Sequence, residues 1–176
     1  MDLAQIYSMV RWFAAYTCSR REKQVARELN RQAVECFLPL YRSARRRSHA
    51  SRVVELPLFP GYVFVRIAPR DRLKVLQIAG VVRLVGFNGQ PTPLGDNEIE
   101  GMRNALRTGL RAEPYPYLRT GHQVEIMSGP LQGLRGKVIR KNNRFRVVLS
   151  VDLLQRSIVV DVDVADIVAR GYPLAA

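Results

Sequence analysis

Catalysis needs nucleophiles, acids or metal ligands at workable spacing, and this chain offers few of them. His49 sits among arginines in Arg42 to Ser51 (RSARRRSHAS), and His122 follows Gly121 at the entrance of a β-rich run. Neither has a Cys, His or carboxylate neighbour at the spacing that zinc sites use. Cys18 and Cys36 lack the Cys-x-x-Cys pattern of a metal or redox pair and read as small buried residues. Asp161 and Asp163 stand two apart, but Val160, Val162 and Val164 alternate with them, so the acids form the wet face of a strand. Gly136-Lys137 would belong to a phosphate loop only with Gly at 131 and Ser or Thr at 138, where the chain has Leu131 and Val138. The expectation is a protein with no catalytic activity, cofactor or metal.

Binding chemistry is better represented. The 28 Lys and Arg outnumber the 15 Asp and Glu for a formal net charge of +13, which favours a polyanionic partner because each cation set against a phosphate releases condensed counterions. On a helical wheel Arg20, Lys23, Arg27 and Arg31 share one face of the segment Arg20 to Ala33, opposite Val25, Leu29 and Ala33. Such a stripe suits phosphate tracking along a single strand; its plain alternative is a solvated helix face. Arg45, Arg46 and Arg47 cluster in the polar stretch between two apolar runs, which predicts a hairpin with a basic tip. In Leu56 to Ile67 (LPLFPGYVFVRI) three aromatics, Phe59, Tyr62 and Phe64, crowd a Pro60-Gly61 corner. We expect Phe59 and Tyr62 to be exposed and Phe64 to be core.

The elements that must hold these groups follow from periodicity and punctuation. Arg11 to Thr17 reads as a strand, followed by a helix with Ser19 as its capping residue type. Val34 to Tyr41 and Arg52 to Ile67 read as strands, Arg70 to Ala79 as a helix stopped by Gly80, Val81 to Phe87 as a strand, and Gly95 to Leu106 as a helix. Strands interleaved with one-sided helices predict an α+β domain, an antiparallel sheet flanked by helices. Leu110 to Leu118 (LRAEPYPYL) carries two prolines and no period, and reads as a linker. Beyond it Gln123 to Ile126, Gly136 to Arg140, Arg144 to Val151 and Ser157 to Val164 predict a small all-β barrel. The expected organisation is an extension over 1–10, a first domain over 11–109, a linker over 110–118, a barrel over 119–170 and a tail over 171–176. No apolar run is long enough to span a membrane and no signal peptide opens the chain, so a cytoplasmic monomer is expected.

Gly61 to Val65 partly resembles the RNA-recognition signature, but Pro60, Val63 and Ile67 depart from it. A fuller likeness spans the chain. Trp12-Phe13, the basic helix, Phe37 to Leu40, Leu58 to Val65 and Gly80 to Val82 occur in the order that resembles the N-terminal (NGN) domain of the NusG family. Gly121 to Val124, then Ser128 to Val138 with Gly129, Pro130, Gly133, Gly136 and Lys137, resembles the KOW motif, which makes the barrel SH3-like.

The resemblance implies a non-catalytic transcription elongation and antitermination factor that binds the clamp coiled coil of RNA polymerase and bridges the cleft. It carries the polymerase-binding role to Trp12, Tyr16, Phe59, Pro60 and Tyr62, with Asp71 and Arg72 toward the other cleft wall, although Trp12 reads equally well as core. It carries contact with the non-template DNA strand to the basic helix, and leaves the arginine cluster as a reach toward upstream DNA or a solubilising tip. The family's Phe-Gly-Arg turn, used toward Rho or a ribosomal protein, is replaced by Leu154-Gln155-Arg156, which puts those partners in doubt. Arg31 to Cys36 resembles RfaH, and Leu153 to Ser157 resembles UpxY-type antiterminators, so an operon-specific paralogue is expected, with a barrel that stays a barrel. A KOW-containing RNA-binding or ribosome-associated protein is the alternative.

Overall fold

The computed structural model describes residues 7–47, 50–115, 122–141, 144–162 and 166–169. It divides into two compact units, Met1–Ile99 and Glu100–Ala176.

In the first unit β1 (Arg11–Thr17), α1 (Glu22–Arg31), β2 (Glu35–Phe37), β3 (Leu40–Arg47), β4 (Ala50–Pro57) and β5 (Tyr62–Ile67) are followed by α2 (Arg72–Leu76) and β6 (Val81–Leu84). Four strands form an antiparallel sheet in the order β2-β5-β1-β6. Alternation along β1 sends Phe13 and Ala15 to one face, where they join Val25 and Leu29 of α1, Val75 of α2, Ile78, and Val63, Val65 and Ile67 of β5 in one apolar cluster. The predicted α+β arrangement is therefore the observed one.

Three local readings need correcting. Helix α1 begins at Glu22 without a side-chain cap, because Arg20 turns into the left-handed region at φ 63° and takes Ser19 out of capping position. Val34 to Tyr41 is not one strand: Pro39 has no N–H to continue a ladder, and Leu40 starts the separate β3–β4 hairpin. That hairpin runs from Leu40↔Pro57 to Arg47↔Ala50, so Arg42 to Arg47 are strand rather than loop. A two-stranded ribbon needs no apolar side chains to close its backbone hydrogen bonds, which is why composition misread it.

A tight hairpin also follows β6, with β7 (Gly86–Phe87) paired to β8 (Gln90–Pro91) through Asn88-Gly89. Both turn residues have positive φ, 49° and 73°, the geometry that Asn-Gly supplies. Helix α3 (Asp96–Arg107) then leads into the second unit.

There β9 (Ala112–Tyr115), β10 (His122–Ile126), β11 (Arg135–Lys141), β12 (Arg144–Val151), β13 (Arg156–Asp161) and β14 (Ile167–Ala169) make one antiparallel sheet, ordered β14-β10-β11-β12-β13-β9. The strand-rich KOW-type barrel is thus present, and it recruits part of the predicted linker. Ala112–Tyr115 pairs with β13, and Pro114 is tolerated because β9 is an edge strand in that order. Gly136 cannot carry a side chain, since a Cβ there would lie 2.4 Å from Val147 Cγ1 and 2.7 Å from the Val148 carbonyl oxygen. Asp161 is not simply wet, because it accepts a 2.5 Å hydrogen bond from Arg146 Nε. Asp163 lies outside the described residues.

Candidate docking and nucleic-acid surfaces

The Pro60-Gly61 corner is a type II turn. Tyr62 N donates to the Phe59 carbonyl at 3.1 Å, Pro60 takes the position that favours proline, and Gly61 has φ +86°. Two further bonds lock it: Gly61 O accepts from Thr17 N at 2.8 Å, and Gly61 N donates to Glu22 Oε1 at 2.7 Å. Glu22, in the first turn of α1, is buried for this purpose. A Cβ on Gly61 would come within 3.3 Å of the Tyr16 ring, so the glycine lets the corner pass beneath that tyrosine.

This geometry sorts the aromatics. Trp12 is 0% exposed and Phe59 1%, which corrects the expectation that Phe59 lies open and settles Trp12 as core. Phe59 folds back from the turn and meets Phe64 edge to face, centroids 5.5 Å apart, while Phe64 stacks on Phe37 at 6.2 Å. Tyr16 keeps 37% of its surface in solvent, Tyr62 is half-buried and Pro60 is exposed. Tyr16 and Tyr62 face each other in register with ring centroids 5.5 Å apart. The surface that remains is therefore Tyr16, Pro60 and Tyr62. Phe87, 69% exposed at the end of β7 beside the Asn88-Gly89 turn, is a projecting aromatic that the sequence reading passed over, although Asn-Gly is a hairpin signal.

The basic helix is also redistributed. Lys23, Arg27 and Arg31 are exposed on α1, whereas Arg20 sits on the turn before it. Arg31 is engaged by Glu28 through two bonds, 3.0 and 2.7 Å, and these, with Gln32, hold the Glu28 carboxyl at about 2 against the usual 4.5. Between α1 and the β3–β4 hairpin runs a groove of about 520 Å³ lined by Lys23, Arg27, Asn30, Cys36, Leu38 and Glu55 among others. A second hollow, about 700 Å³, continues past Lys23 to Arg42 and Val53. Cys36 is half-buried with its thiol 3.5 Å from the Ala26 carbonyl oxygen, and Cys18 is exposed, so the expectation of two buried cysteines is corrected. In the hairpin ladder Arg45 stands opposite Arg52, Arg46 opposite Ser51 and Arg47 opposite Ala50. Asp71 is bound 2.8 Å from Lys74, which lowers its carboxyl, and Arg72 is exposed on α2.

Residues 10–103 match a family described as "Transcription termination factor nusG". The chain belongs to the NusG family. Curated NusG relatives named "Transcription termination/antitermination protein NusG" include that of Buchnera aphidicola, 27% identical over 87% of this chain and 92% of its own length. Another, from Helicobacter pylori strain J99, is 23% identical over 88% of this chain and 95% of its own. A solved NusG structure, "Domain interaction in Thermotoga maritima NusG", matches with TM-score 0.58 at 22% identity, covering 90% of this chain and 96% of that one, and it supports the fold.

The KOW-motif glycines divide by role. Gly129 and Gly133 take φ +81° with open space around them, so they serve backbone conformation, and Gly136 serves close approach. Pro130 is exposed beside Gly129, and Lys137 lies in β11 opposite Val148. Gly121 lies outside the described residues. In the run Leu154-Gln155-Arg156, Gln155 holds φ +50°, a conformation that favours glycine, and Leu154 is buried at 5% exposure. Among the described residues no cluster of His, Cys, Asp and Glu is arranged to hold a metal, and no helix is long and apolar enough to cross a membrane.

Proposed function

We propose that this protein is a non-catalytic elongation and antitermination factor that docks on the clamp coiled coil of RNA polymerase, bridges the cleft and suppresses pausing, as an operon-specific member of the NusG family. The observation that carries this reading is the Tyr16–Tyr62 pair. Two rings are held 5.5 Å apart by a corner that Glu22 and Thr17 fix from both sides, and one of them is left substantially in solvent. Rigid exposed aromatics lose little entropy on docking, which is why binding energy concentrates on them. Pro60 borders the pair, and Arg72 with Asp71 offers the second polymerase contact.

Lys23, Arg27 and Arg42 line the hollows beside α1 and supply the path for the non-template strand in this reading, with Arg20 at the helix start and Arg45, Arg46 and Arg47 along the hairpin extending it. Arg31 contributes less, since Glu28 competes for it. Specialisation is supported by Leu154, which turns inward and offers no apolar contact to a Rho-like or ribosomal partner. Residues 11–109 carry the polymerase-binding role and residues 119–170 the KOW role.

The test is a pull-down of core RNA polymerase with the full chain. Tyr16→Ala combined with Tyr62→Ala is expected to abolish capture while the circular dichroism of the folded chain is retained at the assay temperature. Capture equal to that of the unsubstituted chain would reject the clamp site.

A further inference from the structure

Directly opposed residues of neighbouring strands lie on one face, and register places Tyr62 against Tyr16 and Tyr16 against Arg83. Three strands, β5, β1 and β6, therefore carry one lateral row. The guanidinium carbon of Arg83 lies 5.5 Å from the Tyr16 ring centroid, within cation–π range. Arg83 is exposed, and among the described residues no ion pair involves it. In contrast, Arg31, Arg66, Arg70, Arg103, Arg111, Arg135 and Arg146 each have a carboxylate within 4 Å.

We infer that Arg83 is the charge-reading end of the aromatic docking row, and that the protein element seated on Tyr16 and Tyr62 carries an Asp or Glu beside the apolar side chain that meets the rings. The inference rests on the polymerase reading of that surface. The guanidinium carbon lies over the Tyr16 ring, which holds the cation beside the tyrosines before a partner arrives. A carboxylate matches the guanidinium fork with two parallel bonds, which makes an acidic side chain the acceptor that fits it. The sheet edge adds to this selection. β6 is the outer strand, so the partner reaches Arg83 without passing over the rings. Arg83 therefore distinguishes acidic from basic apolar partners, where the two tyrosines alone would accept either.

The experiment measures affinity for core RNA polymerase and, separately, for a single-stranded DNA oligonucleotide, across a salt series. The full chain is compared with Arg83→Met, which keeps length without charge, with Arg83→Glu, and with Tyr62→Ala. Expected is a loss of polymerase affinity of about threefold for Arg83→Met and at least about tenfold for Arg83→Glu, with a shallower salt dependence for Arg83→Met and thermal midpoints unchanged. Loss for Tyr62→Ala with no loss for Arg83→Glu would overturn the role of Arg83 and leave the docking surface standing. No loss for either would reject the surface itself and this inference with it. Loss confined to the oligonucleotide would assign Arg83 to phosphate and overturn it equally.

Discussion

Phe59 acts through packing, since it is 1% exposed and edge-on to Phe64. Phe59→Ala empties a filled site and is expected to destabilise the first unit by about 3–5 kcal/mol, seen as a lower denaturation midpoint by circular dichroism. Tyr62→Ala, with its ring half in solvent, is expected to cost less than half as much. Equal losses for the two would contradict this division of labour. Sequence spacing alone could not separate them: strand alternation puts Tyr62 and Phe64 on one face, and the direction of Phe59 depends on the turn just after it. Glu28 gives a second residue-scale result. Its carboxyl is held near 2 by Arg31 and Gln32, so this pairing contributes fully above the ordinary 4.5 and is lost as pH falls from there toward 2. NMR titration of the Glu28 side chain is expected to show a midpoint well below 4.5. Glu28→Gln should release Arg31 and raise single-stranded DNA affinity about twofold, a modest gain because the pair is exposed and screened.

At the scale of elements, the corner and the basic helix are joined by one buried carboxylate. Glu22→Ala leaves the Gly61 N–H without its acceptor and is expected to cost about 1–3 kcal/mol, whereas Glu22→Gln keeps an oxygen in place and should cost less. The amide resonance of Gly61 reports the bond directly, and an unmoved resonance in Glu22→Ala would refute it. The same logic of close approach governs the barrel. Gly136→Ala drives a methyl into Val147 and the Val148 carbonyl, so loss of the second unit's β-sheet dichroism is expected. The apolar stripe of α1 and the β-branched run of β12 were legible because burial demands them, as at Val25, Leu29, Val147 and Val148. The β3–β4 ribbon was not, since a backbone ladder over Arg42 to Arg47 leaves no apolar period in the sequence, and neither was the Glu22–Gly61 bond, whose partners lie 39 residues apart.

Across the whole molecule, the net charge of +13 permits two different kinds of nucleic-acid binding, and salt separates them. A diffuse basic surface attracts DNA without fixed contacts, so removing any two cations changes little. A defined path releases a countable number of counterions. If Lys23, Arg27 and Arg42 each neutralise one phosphate, the logarithm of affinity for single-stranded DNA should fall with the logarithm of salt at a slope of about −2, since each contact on a single strand contributes about −0.7. Engagement of Arg45, Arg46 and Arg47 as well would bring the slope to about −4. Lys23→Ala with Arg27→Ala is expected to reduce the slope by about 1.4 while leaving polymerase capture in place, because the tyrosine row does not depend on those two side chains. Fluorescence anisotropy of a labelled oligonucleotide from low to physiological salt measures it. A slope unchanged by that double substitution would mean that the groove beside α1 is not the strand's path, and that the sequence's excess of arginine acts only as a field.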